Sequence, residues 1–170
     1  MAFRIHYLLF TAKENILDTR VDAILALGHP GRETVRVRDT VAHAITCANE
    51  LGDNFVDTCH LLAGLYREGN GVAYHVLNTL GVTRTEIDDW LVRRDFPAGP
   101  ACLADDDIRT LFNAALAAAG QMSHSYIGTE HLLIGATADG TKSSLLISDL
   151  GLVPLDIENE VLHLLGYRLD

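Results

Sequence analysis

Few side chains in this chain are able to do chemistry, and their spacing limits what that chemistry is. Three cysteines, Cys47, Cys59 and Cys102, occur without a CxxC, so neither a disulfide framework nor a zinc ribbon is encoded. His43 and Cys47 stand four apart and Cys59-His60 follows, but the set matches no zinc spacing, and no metal is expected. Cys59 falls in the first turn of a helix, where the positive end of the dipole would lower its thiol pKa; the alternative is a small buried thiol. No GxSxG, HExxH or Ser-x-x-Lys pattern occurs. Lys13 and Lys142 follow Ala12 and Thr141, not the glycine of a phosphate-binding loop. The expectation is a protein that is not an enzyme and has no cofactor.

A second group of polar residues sits at helix starts. Thr129 with Glu130 reads as a hydroxyl cap plus a first-turn carboxylate, and the triplet Asp105, Asp106 and Asp107 equally favours a helix N-terminus. His60 and His131, each before a pair of leucines, read as packed or hydrogen-bonded structural histidines.

The elements that position these residues are helical. Apolar spacing predicts helices over residues 11–27, 35–51, 58–66 and 72–80, and the capping box Thr83-Arg84-Thr85-Glu86 opens a further helix that runs to Arg94. Breakers at 28–31 and 96–100 separate three stretches. Beyond the second, helices are expected over 105–122, 129–136, 143–150 and 154–165, with Pro154 at a first helical position. Thr58-Cys59-His60-Leu61-Leu62-Ala63-Gly64 aligns with Thr129-Glu130-His131-Leu132-Leu133-Ile134-Gly135 in the second half. Leu80-Gly81-Val82 aligns with Leu150-Gly151-Leu152 at an offset shorter by one, which places a one-residue deletion in the second copy's middle loop. The organisation read from this is an N-terminal extension (1–33), a first repeat (34–95), a linker (96–103) and a second repeat (104–168). The fold class is all-α: two pseudo-symmetric tandem four-helix repeats packed as one domain, plus the N-terminal helical extension.

With 170 residues, 48% hydrophobic and 21% charged, the chain is globular and long enough for a substantial core. Thirteen basic against 23 acidic residues, net −10, argue against wrapping nucleic acid or an anionic membrane. The partners expected are proteins or peptides. Unpaired cysteines fit a reducing, cytoplasmic setting, and no run reaches the ~20 apolar residues of a membrane span. The apolar residues 3–10 read either as a strand or helix packed on the body or as a patch kept for a partner.

The run His124-Ser125-Tyr126-Ile127-Gly128-Thr129-Glu130-His131-Leu132-Leu133, the Arg67-Glu68-Gly69-Asn70-Gly71-Val72-Ala73 of the first copy and the two Leu-Gly pairs resemble the Clp amino-terminal repeat, found in the N-domains of the ClpC and ClpA unfoldases. The resemblance covers residues 34–166 and implies a domain that docks adaptors and substrates. Since the chain lacks a phosphate-binding loop and carries an extension, residues 1–33, ahead of the first repeat, the expectation is a free-standing N-domain homologue. Its implied partners are a Clp ATPase, a Clp protease subunit, an adaptor or a substrate. Three roles stay open: a non-catalytic docking module, a peripheral structural subunit of a ClpP-type protease core, or a decoy for ligands of the unfoldase N-domain.

In some ClpC-like domains, each repeat binds phosphoarginine through a Thr near its first helix start and the Glu of the Gly-Thr-Glu-His motif. Carried over within each repeat, the first copy keeps Thr34 but has Cys59 at the Glu position. The second keeps Glu130 but has Asp105 at the Thr position, where a carboxylate would repel phosphate. Phosphoarginine binding is thus expected to be weak or lost. Glu130 has equal standing as a simple helix-capping residue.

Overall fold

In the computed structural model, nine helices occur among the described residues, which are 16–28, 30–94 and 106–167, together with the backbone of 101–105. Helix α1 covers residues 16–25. The first repeat is α2 (Val35–Leu51), α3 (Thr58–Glu68), α4 (Val72–Thr79) and α5 (Arg84–Arg93), and the second is α6 (Ala101–Gln121), α7 (Thr129–Ala136), α8 (Lys142–Asp149) and α9 (Pro154–Leu164). Helix α6 starts inside the stretch expected as linker, directly after Pro100, a residue that helices accept ahead of or at their first turn.

In each repeat, the first two helices cross closely through a glycine. A Cβ on Gly64 would run into the Thr40 carbonyl oxygen and stand 3.1 Å from the Ala44 amide; one on Gly135 would run into the Leu111 carbonyl and stand 3.0 Å from the Ala115 amide. The two crossings are copies of each other at matched positions of the repeats, with Ala44 on α2 and Ala115 on α6 as the small residues that face the glycines. The repeated Leu-Gly pairs end α4 and α8: Gly81 and Gly151 sit at φ 85° and 74°, and Val82 and Leu152 amides return to Leu77 and Ile147 carbonyls at 2.9 and 3.1 Å. Only glycine enters that left-handed region without strain.

The missing residue is not a simple loop deletion. Helix α7 has 8 residues against 11 in α3, and the loop behind it is longer. Thr141 shapes that loop, its hydroxyl donating to the Ala138 carbonyl at 2.8 Å and accepting from the Ser144 amide at 3.2 Å.

The repeats share one apolar core, with Ile45, Leu61, Leu62, Leu65, Leu132, Leu133, Ile147 and Ile157 all at 1% exposure or less. Helix α4 packs on α7 and α9, and α3 on α8, so each repeat covers the other's apolar faces. Helix α1 adds Val21 and Leu25 to the core. It is tied to α2 by Arg38–Asp22 at 2.8 Å and Arg20–Asn49 at 3.1 Å. The apolar residues 3–10 lie outside the described residues. No described helix is long and apolar enough to cross a membrane.

Candidate functional site: two ends where helix N-termini meet

The N-terminus of α3 faces that of α8, and the N-terminus of α7 faces that of α4. Thr58 Oγ1 accepts from the Ser143 amide at 2.9 Å, while Thr129 Oγ1 accepts from the Ala73 amide at 3.5 Å. Each threonine hydroxyl therefore serves a helix of the other repeat. This departs from the expectation that Thr129 caps its own helix: the N-cap is Gly128, with no side-chain cap, because the Thr129 hydroxyl is turned across the interface.

At the first end, Asp57 is the N-cap of α3, its Oδ1 accepting from the Cys59 and His60 amides at 3.1 and 3.3 Å. The same carboxylate pairs with Arg94 and with Lys142 at 3.2 Å, and His60 Nδ1 lies 2.8 Å away. Burial alone would raise its pKa, but His60 and the two cations hold it far below the carboxylate range. Arg94 also pairs with Asp53, which meets His60 Nε2 at 3.0 Å. Asp107, projecting from the second turn of α6, accepts from the Thr58 amide and hydroxyl at 3.0 and 2.8 Å and from the Lys142 amide at 2.9 Å. Sequence reading missed this role, because the aspartate triplet looked like a cap of its own helix. Asp107 in fact supplies the N-termini of α3 and α8.

Cys59 is fully buried here. Its thiol pKa is pushed well up by burial and by the neighbouring Asp57, so of the two readings it is the buried thiol, not the dipole-activated one, that the structure has: desolvation outweighs the dipole. Cys47 is likewise buried with a raised pKa. Asp105 lies within α6, but its side chain is outside the described residues.

The second end is built differently. Glu33 and Ile127 form a parallel backbone bridge, with Thr34 N donating to Ile127 O at 3.0 Å and Ile127 N to Arg32 O at 2.8 Å. Thr34 caps α2, its hydroxyl accepting from the Val37 amide at 3.4 Å. The bridge places the start of α2 beside the loop leading to Glu130, in the other repeat. Thr34 and Glu130 thus share an end, whereas the within-repeat reading had paired Thr34 with Cys59; the pseudo-symmetric exchange crosses the chain halves. Glu130 is 5% exposed, its carboxylate folded over Gly128. Tyr126 hydrogen-bonds it and has a raised phenol pKa, caused first by burial and then by the Glu130 charge.

Around Glu130 a directed chain of hydrogen bonds runs through two histidines. The Gly128 amide donates to His131 Nδ1 at 2.9 Å, which leaves the proton of the neutral ring on Nε2. Nε2–H then meets His124 Nδ1 at 2.9 Å, and His124 Nε2 lies 3.4 Å from the Tyr167 hydroxyl. Burial and the His124 ring lower the His131 pKa to about 4. His124, Glu130 and His131 are the one group among the described residues able to converge on a metal ion. The capping bond argues against that use: a ligating histidine normally donates its second nitrogen to an acceptor, whereas His131 Nδ1 faces a backbone N–H. His43, Cys47, Cys59 and His60 do not converge in this way.

The architecture defines a class: a tandem-repeat, all-α domain whose polar side chains serve helix N-termini at two ends. The chain belongs to the Clp repeat (R) N-terminal domain family, whose model matches residues 32–150. It is 31% identical over 140 residues to the negative regulator of genetic competence ClpC/MecB of Bacillus subtilis, covering 80% of this chain and 17% of that protein. It is 32% identical over 124 residues to the chloroplastic chaperone protein ClpC2 of Arabidopsis thaliana, covering 70% and 13%. The chain thus spans under a fifth of the length of these relatives. Among solved structures, the N-terminal domain of the ClpD chaperone from Arabidopsis thaliana aligns with TM-score 0.61 at 22% identity, over 79% of this chain and 94% of that one. The Hsp104 N-terminal domain from Candida albicans aligns with TM-score 0.61 at 15% identity, over 80% and 93%. The domain these proteins share with the chain is a non-catalytic one.

Proposed function

We propose that the chain is a protein-docking module of a Clp system, and that it takes an arginine-bearing segment of an adaptor or substrate at the Glu130 end. The observation that supports this reading is the Glu33–Ile127 bridge, in which the Thr34 amide donates to the Ile127 carbonyl three residues before Glu130. A carboxylate on a helix N-terminus recognises a guanidinium, and nearby hydroxyl and amide groups suit an attached phosphate. On this reading Thr34 of the first repeat and Glu130 of the second would serve one phosphoarginine site, each repeat contributing one half. The experiment is titration calorimetry with a phosphoarginine peptide and its arginine counterpart, on the wild type and on Glu130→Gln. Saturable binding that Glu130→Gln weakens at least tenfold is expected, a loss that corresponds to about 1.4 kcal/mol. Binding that Glu130→Gln leaves unchanged, or no binding of either peptide, would overturn the reading.

A further inference from the structure

The two ends differ in who occupies their backbone donors. At the first end every first-turn amide of α3 and α8 is taken. Asp107 takes those of Thr58 and Lys142, Asp57 takes those of Cys59 and His60, Thr58 Oγ1 takes Ser143, and Thr141 Oγ1 takes Ser144. Asp107 is 8% exposed and Asp57 6%. At the second end the N-cap Gly128 offers no side chain to the first-turn amides of α7, although the Glu130 carboxylate lies over Gly128, His131 Nδ1 takes the Gly128 amide, and on α4 Glu68 takes the Gly71 amide and Thr129 Oγ1 that of Ala73. The position in the first repeat that matches Asp107 is Arg36, a cation paired with Glu68, whose other oxygen accepts from the Gly71 amide at the start of α4. Reversal of charge at one matched position thus accompanies one end whose first-turn amides are held by an aspartate of the other repeat and one end where the matching residue brings a cation instead.

We propose that Asp107 is a built-in ligand. Its carboxylate occupies the anion cradle formed by the N-termini of α3 and α8 and closes that end to external anions. Docking is then confined to the α7 end, at one ligand per chain, a conclusion that rests on the docking reading above. The physical reason is that a second anion at the first end would find no free amide and would face two carboxylates, Asp57 and Asp107, whose compensating cations Arg94 and Lys142 are already engaged with Asp57.

The test is rescue of a truncated side chain by a free carboxylate. Wild-type chain, Asp107→Ala and Asp107→Asn are melted in formate and in chloride at equal ionic strength, and amide spectra are recorded in parallel. Formate is expected to raise the Tm of Asp107→Ala above its chloride value and to shift the Thr58 and Lys142 amides saturably, with no such difference in the wild type or in Asp107→Asn. If Asp107→Ala folds only when formate is present, that is the same positive result. Failure of formate to distinguish Asp107→Ala from the wild type, or folding in neither salt, would overturn the built-in ligand. The count of ligands is read separately from the phosphoarginine-peptide titration. One site per wild-type chain is expected and two would sink the closed end, whereas no binding would refute the docking reading and leave the formate result to decide Asp107.

Discussion

His131 holds the start of α7 by a bond usually made by glutamate or glutamine: its ring nitrogen, three residues into the turn, accepts from the Gly128 amide. A proton added to the ring must go on Nδ1 and so removes that bond. The folded pKa, about 4, lies below the ordinary 6.5, so between these values the unfolded chain binds more protons than the folded one. The stabilisation is complete above pH 6.5 and is lost as pH falls toward 4, on the order of 2 kcal/mol. His131→Gln keeps an acceptor for Gly128 but does not titrate. Denaturant midpoints measured from pH 7.5 to 4.5 are expected to fall more steeply for the wild type than for the variant, and parallel curves would refute the assignment. The burial that depresses His131 also raises Cys59, so alkylation of the folded chain at Cys59 is expected to be slow until denaturant is added; modification at the free-thiol rate would contradict it.

For the helices, two glycines in equivalent places separate packing from propensity. Alanine is the better helix former by up to ~1 kcal/mol, yet at Gly135 its methyl must displace the Leu111 carbonyl and the Ala115 backbone. Overpacking at a tight crossing costs about 1–3 kcal/mol, so packing wins and Gly135→Ala is expected to destabilise, as is Gly64→Ala. Gly120, in the last turns of α6, has open space where its Cβ would go. Gly120→Ala is expected to be neutral or slightly stabilising. Urea unfolding of the three variants decides the matter, and a Gly135→Ala midpoint equal to that of Gly120→Ala would show that the close approach carries no cost.

Across the whole molecule, the repeats depend on one another. The Thr58 and Thr129 hydroxyls satisfy donors in the opposite half, Trp90 Nε1 donates to Asp149 at 2.7 Å between α5 and α8, and α4 lies on α7 and α9. A segment of about 60 residues deprived of these partners exposes apolar helix faces and buries too little surface to fold firmly. Residues 34–94 produced alone are therefore expected to lose the sharp cooperative melt of the full chain; a first repeat that melts cooperatively at the full chain's temperature would refute this dependence.

Helix number, repeat and family were legible in the sequence because each rests on local rules: apolar spacing, the Thr83–Glu86 box, the Leu-Gly helix ends and the doubled Gly64 and Gly135. The site was legible only in part. Glu130 and Thr34 were named from their motifs, but Asp107 was misread, since its acceptor geometry serves helices that start far from it in the chain, at Thr58 and Lys142. A motif specifies which donors a helix start leaves open. Which side chain fills them is decided by packing, because pseudo-symmetric exchange brings the start of one repeat's helix against the other repeat, and burial then settles whether a thiol, an imidazole or a carboxylate keeps its charge.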